Sequence, residues 1–142
     1  MNSTLLCLGD LHLGRRLNLP GSLDERRLLG PADALQAAVE LAIDKQVAAV
    51  LLAGDVVDSD NSFYEPLGVL EKAFGRLADS HIPVYAVAGN HDTTVLKRLT
   101  AAINGFHLIG ADGNWELVAI PNSEIRILGW SFKLGDTMAG VD

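Results

Sequence analysis

Three short polar segments of this 142-residue chain combine carboxylates, imidazoles and a carboxamide, which are side chains that bind divalent cations. The segments are Asp10-Leu11-His12, Gly54-Asp55-Val56-Val57-Asp58 and Gly89-Asn90-His91-Asp92. Each of them follows an apolar run, with a glycine between the run and the first polar residue. Because the same arrangement occurs three times, we predict that the segments supply part of a site for two metal ions.

The first two segments supply the candidate anionic ligands. Asp10 and His12 are two residues apart, so in an extended backbone their side chains would point the same way and bind one ion together. The carboxylate of Asp55 has two oxygens, which suffice to bridge two cations about 3.5–4 Å apart. We expect Asp58 to accept a hydrogen bond from a ligand such as His12. Helix-capping or solvated loop aspartates remain the alternative interpretation of these residues.

The third segment adds a neutral ligand and a candidate catalytic pair. The carbonyl oxygen of Asn90 can bind a cation without adding charge, so two divalent ions would keep a positive charge beside a phosphate. His91 is expected to contact that phosphate or to donate a proton to the leaving oxygen. Asp92 is expected to hold His91 in the required tautomer. The alternative is an ordinary polar turn.

Strand and helix signals alternate along the first hundred residues, which predicts a parallel sheet with helices packed on it. The apolar runs predict strands over residues 4–8, 47–53 and 83–88. Helices are expected to begin at Pro31, at Pro66, and after Thr93 or Thr94, either of which could cap the third helix. After Gly105, short strands are predicted over 107–109, 115–120 and 125–130, and the last two would be joined by a turn at 121–124. All three polar segments would then lie at the carboxyl edge of the sheet, where ligands bind.

Composition limits the class of protein further. With 49% hydrophobic residues and a mean hydropathy of +0.22, the chain is not a disordered protein, and we expect one domain over residues 1–142. The net charge of −7 does not fit a protein that coats nucleic acid electrostatically, although bound cations would permit a nucleic-acid enzyme. The single cysteine, Cys7, is expected to be buried in its apolar run and favours the cytoplasm. Neither a signal peptide nor a membrane span is predicted.

Together the three segments resemble the signature of the calcineurin-like metallophosphoesterases, which runs Asp-x-His, Gly-Asp-x-x-Asp and Gly-Asn-His-Asp or -Glu. The resemblance implies an α/β fold in which a β-sheet sandwich is flanked by helices. It implies two divalent ions, Mn²⁺ or alternatively Fe, Zn or Mg. Asp10, His12 and Asp55 would bind the first ion, Asp55 and Asn90 would bind the second, and His91 would face the phosphate.

Within that family, residues 10–14, 52–58 and 82–92 resemble the SbcD-like DNA repair exonucleases. This implies phosphodiester hydrolysis in DNA and an ATPase partner subunit. Arg15 and Arg16 directly follow the first polar segment and could contact backbone phosphate, and ordinary surface charge is the alternative interpretation of these two residues. A phosphodiesterase or phosphatase for a nucleotide or other small phosphoester is the alternative, and an inactive fragment is the second alternative.

The family completes its site with histidines in later Gly-His and Gly-His-x-His segments, and this chain departs from that pattern. Its four histidines are His12, His81, His91 and His107. We therefore expect only the N-terminal part of the fold, with an apolar face left open and a homodimer as one way to cover that face.

Overall fold

Four parallel strands form the central sheet of the computed structural model, which describes residues 4–15 and 30–133. The strands lie side by side in chain order and are β1 (Leu5–Leu8), β2 (Ala49–Ala53), β3 (Val84–Val87) and β4 (Phe106–Leu108). Within the described residues, the connections contain three helices, α1 (Pro31–Asp44), α2 (Tyr64–Asp79) and α3 (Val95–Ala102). The predicted alternation of strands and helices is confirmed, because buried apolar runs separate the amphipathic segments as expected.

All three helices contribute to one apolar core on the same face of the sheet. Alternate strand residues such as Val50 and Val84 point into this core, where they meet Phe74 of α2. The ring of Phe74 lies 4.7 Å from that of Phe106, edge to face. Further fully buried members are Leu35, Leu70, Leu77, Leu96 and Leu99. This core holds the strand ends that carry the polar segments in fixed positions.

An antiparallel hairpin covers part of the other face of the sheet. It consists of β5 (Glu116–Ala119) and β6 (Arg126–Gly129), as predicted, and the Ser123 hydroxyl donates to the Ile120 carbonyl in its turn. A second buried cluster forms beneath it from Ala49, Tyr85, Ile109 and Ile120. Gly129 packs so closely that a Cβ there would lie 2.7 Å from Ile109 and 3.1 Å from Val87. The architecture is therefore mixed α/β, with a parallel sheet flanked by helices.

One helix start and one helix cap differ from the prediction. Helix α2 begins at Tyr64, two residues before Pro66. The first turn tolerates this proline, because the N–H groups there have no partner within the helix. Thr94 does occupy the residue before α3, but neither threonine caps the helix with its side chain. Instead the carboxylate of Asp60 accepts hydrogen bonds from the backbone N–H groups of Thr94 and Val95, both at 2.9 Å.

The prediction that Cys7 is buried is wrong, because the residue is exposed. It lies on β1, an edge strand, and its side chain belongs to the face that the hairpin covers only in part. Leu117 and Leu128 of the hairpin are also exposed. The homodimer stays a prediction. Within residues 4–15 and 30–133, no helix is long and apolar enough to cross a membrane.

Candidate metal centre

The loops after β1 and β2 run side by side beyond the carboxyl edge of the sheet. The backbone N–H of His12 donates to the Asp55 carbonyl at 2.9 Å, and that of Leu13 donates to the Val56 carbonyl at 2.9 Å. The Asp58 N–H donates back to the Leu13 carbonyl at 3.0 Å. Leu13 is buried and forms an isolated parallel bridge with Val57. These bonds place Asp10 and His12 beside Asp55.

Glycine is required where the loops after β2 and β3 meet. Gly54 has a φ of +82°, and a Cβ at this position would lie 3.3 Å from the Cα of Gly89. A Cβ on Gly89 would come within 2.6 Å of the backbone nitrogen of Asp55. Any side chain at Gly89 would therefore push Asp55 out of place. The two glycines explain why each polar segment here begins with that residue.

Three predicted ligands have left-handed backbone conformations. The φ angles of Asp10, His12 and Asp55 are 52°, 47° and 48°. This conformation costs an L-residue about 1–2 kcal/mol, so the surrounding hydrogen bonds must hold it. The extended backbone predicted for residues 10–12 is therefore wrong. The left-handed conformation nevertheless brings the Nε2 atom of His12 to 4.0 Å from a carboxylate oxygen of Asp10.

Asp10, His12 and Asp55 form a group whose donor atoms all lie within 4.8 Å of one another. Two ligands at 2.0–2.2 Å from a transition-metal ion are at most about 4.4 Å apart, so only small side-chain rotations would bring this group onto an ion. Two carboxylates and an imidazole also match the ligand chemistry of such ions. The residues present therefore fit a divalent cation. Asp10 is exposed, whereas His12 is largely buried.

Asp58 contacts both candidate histidines. Its carboxylate accepts a hydrogen bond from Nδ1 of His12 at 2.9 Å, which is the contact predicted for it. Its main-chain carbonyl faces Nδ1 of His91 at 3.1 Å, and the two imidazoles meet edge to face at 5.0 Å. Both oxygens can only accept, so each Nδ1 carries the proton and each Nε2 is left for a ligand. His12, Asp58 and His91 form a second candidate metal group, because their donor atoms also lie within 4.8 Å of one another.

Asp92 does not contact His91 in the way that the sequence predicts. It is fully buried, and its carboxylate accepts hydrogen bonds from the backbone N–H groups of Val56 at 2.7 Å, Val57 at 3.2 Å and Gly89 at 2.8 Å. The tautomer of His91 is set by the carbonyl of Asp58 instead. Burial raises the pKa of the Asp92 carboxyl, the three N–H donors lower it, and the charge of Asp55 raises it further. Asp92 therefore fastens the loop after β3 to the loop after β2.

The remaining predicted residues are placed less tightly. Asn90 is exposed between Gly89 and His91, whose N–H donates to Asp55 at 3.1 Å. Arg15 is exposed and its N–H donates to the His12 carbonyl at 3.0 Å, while Arg16 lies outside the described residues. The other two histidines are elsewhere: His81 is an exposed loop residue with left-handed backbone, and His107 is exposed on β4, stacked on Tyr85.

Sequence reasoning missed Asp60. Besides the two N–H groups at the start of α3, its carboxylate accepts the hydroxyl of Thr93 at 2.9 Å. Asp60 thus joins the loop after β2 to the segment that directly follows Asp92. An aspartate two residues after Asp58 has no local signal for this role, because the helix it caps begins 35 residues later.

Comparisons with known proteins identify the family of the chain. The family model described as calcineurin-like phosphoesterase matches residues 3–133. The SbcD component of the nuclease SbcCD from Bacillus subtilis is 35% identical over 118 aligned positions, in an alignment that covers 75% of this chain and 27% of the relative. The DNA double-strand break repair protein Mre11 of Methanosarcina mazei is 32% identical over 148 aligned positions, in an alignment that covers 94% of this chain and 23% of the relative.

The chain thus spans about a quarter of the length of these curated relatives. Among solved structures, a dimetal phosphatase from Danio rerio matches 68% of this chain and 32% of its own, with 22% identity and a TM-score of 0.44. The family match covers nearly the whole chain and contains all three polar segments. The chain therefore belongs to the calcineurin-like phosphoesterases, a family of hydrolases that use divalent metal ions.

Proposed function

We propose that this chain provides the metal-binding loops of a phosphoesterase that hydrolyses phosphodiester bonds in DNA. The observation that carries the proposal is the convergence of Asp10, His12 and Asp55, with donor atoms within 4.8 Å, at the carboxyl edge of the sheet. DNA is favoured as the substrate because relatives at 32–35% identity are named as part of a nuclease and as a DNA double-strand break repair protein.

Two divalent ions are part of the proposal, with Mn²⁺ as the first choice. Asp10, His12 and Asp55 would hold one ion, and Asp55 with Asn90 would hold the other. When bound, such ions supply positive charge to the phosphate and lower the pKa of water. The position of Asp55 supports a shared role, since the residue follows Gly54 directly and its carboxylate lies against Gly89 of the loop that carries Asn90.

His91 would act on the substrate through Nε2, because its Nδ1 faces the Asp58 carbonyl at 3.1 Å. Its ring is exposed, so a phosphate can approach it. As an imidazolium it would donate a hydrogen bond to a phosphate oxygen or a proton to the leaving oxygen. Asp58 would also orient His12, leaving the Nε2 lone pair of His12 for the ion.

A small phosphoester is the second candidate substrate, and the net charge of −7 favours it. The same residues would act in both cases, because only the contacts outside the metal centre differ. An ATPase partner subunit is proposed on the ground that the Bacillus subtilis relative is named as one subunit of a nuclease. A cytoplasmic location accompanies the DNA proposal.

The test compares hydrolysis of a linear DNA duplex with hydrolysis of bis-p-nitrophenyl phosphate, both with added Mn²⁺. We expect the protein to hydrolyse both substrates and to bind the metal. Hydrolysis of the small ester alone would support the second candidate. If neither substrate is hydrolysed and no metal is taken up, the proposal is wrong for this chain.

His91→Ala provides the sharper arm of this experiment. It should lower turnover by about 10²–10⁴-fold, the usual contribution of a general acid or base, while metal content stays the same. His107→Ala is the matched control, because His107 is an exposed histidine stacked on Tyr85 away from the centre. A collapse of metal content in His91→Ala, with unchanged turnover per bound metal, would contradict the assigned role.

A further inference from the structure

A cavity of about 190 Å³ lies directly beside the candidate metal centre. Its wall includes Ala88, the residue before Gly89, and Thr93, two residues after His91. The opposite wall comes from residues 131–133, which follow β6. The cavity is therefore next to the loop that carries Asn90 and His91, although no part of the metal chemistry uses it.

Buried hydrogen bonds fix the two walls to each other. The backbone N–H of Phe132 donates to the Ala88 carbonyl at 3.1 Å. The hydroxyl of Ser131 accepts from the Ala88 N–H at 2.9 Å and donates to the Ile109 carbonyl at 2.6 Å. Ser131 is 1% exposed, so these bonds are shielded from water. A ligand in the cavity would be held in a fixed position relative to His91.

The polar groups around the cavity suit an anion. Lys97 of α3 and Lys133 bring two cationic side chains, and Thr94 brings a hydroxyl. The only carboxylate among the described residues that line it is Asp112, whose oxygen lies 3.0 Å from Nζ of Lys97. Both partners are well exposed, at 60% and 71%. Such an exposed pair contributes only about 0–1 kcal/mol, so a phosphate can displace Asp112 from Lys97.

We propose that this cavity binds a phosphate of the nucleic-acid strand beside the phosphate that is hydrolysed, with Lys97 as its main cation. The proposal rests on the proposed function. Pockets that enclose a whole drug-sized ligand measure about 300–1,000 Å³, so a cavity of 190 Å³ suits a single phosphate group with part of its sugar. Phe132 supplies an apolar wall for the sugar.

The spacing along the chain agrees with a neighbouring phosphate. Thr93 and His91 are two residues apart, which limits the separation of their Cα atoms to about 7 Å. Phosphates of one DNA strand advance about 3.4 Å each along the duplex axis, so the cavity is within a few nucleotides of His91. This distance is compatible with a phosphate of the same strand in the cavity.

The first measurement is the binding of a fluorescein-labelled oligothymidylate in EDTA, followed by anisotropy over a series of KCl concentrations. Lys97→Ala should weaken binding several-fold and reduce the slope of log K against log[salt] by about 0.7, the value for one single-strand phosphate contact. Asp112→Asn should tighten binding, because it removes the group that competes for Lys97.

The ion pair between Lys45 and Asp44 provides the matched control. Its atoms are 3.2 Å apart and its side chains are 63% and 71% exposed, close to the values for Lys97 and Asp112. It lies at the end of α1, at the amino end of the sheet, whereas the metal centre is at the carboxyl end. Lys45→Ala and Asp44→Asn change the net charge equally and should leave the slope unchanged. The proposal would be overturned if the Lys45 and Asp44 variants changed binding and its salt slope as much as the Lys97 and Asp112 variants do. Wild-type binding that does not depend on salt would overturn it as well.

Hydrolysis separates this proposal from the proposed function. Bis-p-nitrophenyl phosphate has a single phosphate, so Lys97→Ala should hydrolyse it like the wild type while the KM for the oligonucleotide rises. If the wild type hydrolyses neither substrate, the proposed function fails, but the binding measurements in EDTA still decide whether the cavity takes a phosphate. An unchanged oligonucleotide KM in an active Lys97→Ala variant would count against the cavity alone.

Discussion

Both ends of the parallel sheet contain non-glycine residues with a left-handed backbone, and the two ends use them differently. Asp10, His12 and Asp55 have this backbone at the carboxyl end, where Asp112 after β4 has it as well, and Gln46, His81 and Asn122 have it at the amino end. The first three follow strands and bring carboxylates and an imidazole together. The other three end helices α1 and α2 or turn the hairpin, so they only reverse the direction of the chain.

The amino end also has the larger cavity, of about 380 Å³, lined in part by Gln46, His81 and Asn122. No described residue there belongs to a candidate metal group. Backbone strain and cavity size therefore do not show which end of the sheet contains the candidate metal centre. The types of side chain and their closeness to one another do show it, because the carboxyl-end loops are hydrogen-bonded to each other across the site.

The largest expected effect is the loss of hydrolysis on changing Asp55. Asp55→Asn keeps an acceptor for the His91 N–H and removes the charge, so we expect the fold to persist and turnover to fall on the order of a thousandfold. Metal content, measured by atomic emission, should fall with it. At the amino end, Asn122→Ala should leave both values unchanged. Wild-type turnover in Asp55→Asn would place the chemistry elsewhere.

The next largest effect concerns stability. Asp92→Asn replaces a buried carboxylate that accepts three backbone N–H bonds with an amide whose NH₂ must face at least one of those donors. The expected loss is about 3 kcal/mol in the free energy of unfolding, or a fall of roughly 10 °C in Tm.

Asp79, exposed at the end of α2, provides the comparison for that change. Asp79→Asn should change the stability by less than about 0.5 kcal/mol. Thermal unfolding followed by circular dichroism measures both variants. Equal Tm values would show that Asp92 does not fasten the two loops.

Much of this contrast was predictable from sequence. Apolar runs followed by Gly-Asp and Gly-Asn place polar groups after buried strands, and parallel strands put those ends on one edge. The periodicity of Leu35 and Val39, or of Leu70 and Phe74, similarly indicates helices with one buried face. These features are local in the chain, and the structure agrees with them.

The features that depend on contacts between distant segments were not predictable. The left-handed conformations of Asp10 and His12 follow from hydrogen bonds to the loop after β2, more than 40 residues away. The sequence predicts that Asp92 binds its neighbour His91. In the structure Asp92 is buried, and its carboxylate accepts three backbone N–H hydrogen bonds instead of one from an imidazole. Cys7 has an apolar sequence context, yet the hairpin leaves its edge strand open.

A smaller effect is expected at the hydrogen bond between Asp58 and His12. Asp58→Asn weakens the acceptor for Nδ1 of His12 but keeps the main-chain carbonyl that faces His91. Loss of such a support for a metal ligand lowers metal affinity or activity by about 10–100-fold. Isothermal titration with Mn²⁺ measures this change.

Asp60→Asn serves as the control, because Asp60 lies two residues away and caps α3 instead of contacting a histidine. It should cost about 1 kcal/mol of stability and leave Mn²⁺ affinity unchanged. If both variants weaken Mn²⁺ binding equally, the effect belongs to the loop as a whole and not to the bond with His12.

The smallest effect tests the strain at the two ends directly. Glycine relieves a left-handed conformation that costs about 1–2 kcal/mol but adds about 0.5–1 kcal/mol of chain entropy, so His81→Gly should raise stability by about 0.5 kcal/mol. Asp10→Gly should give a similar gain because its φ of 52° is close to the 59° of His81. Only Asp10→Gly should lose hydrolysis. If both variants gain the same free energy of unfolding and only Asp10→Gly loses hydrolysis, the backbone strain is equivalent at the two ends. The side chain of Asp10 then accounts for the difference in activity.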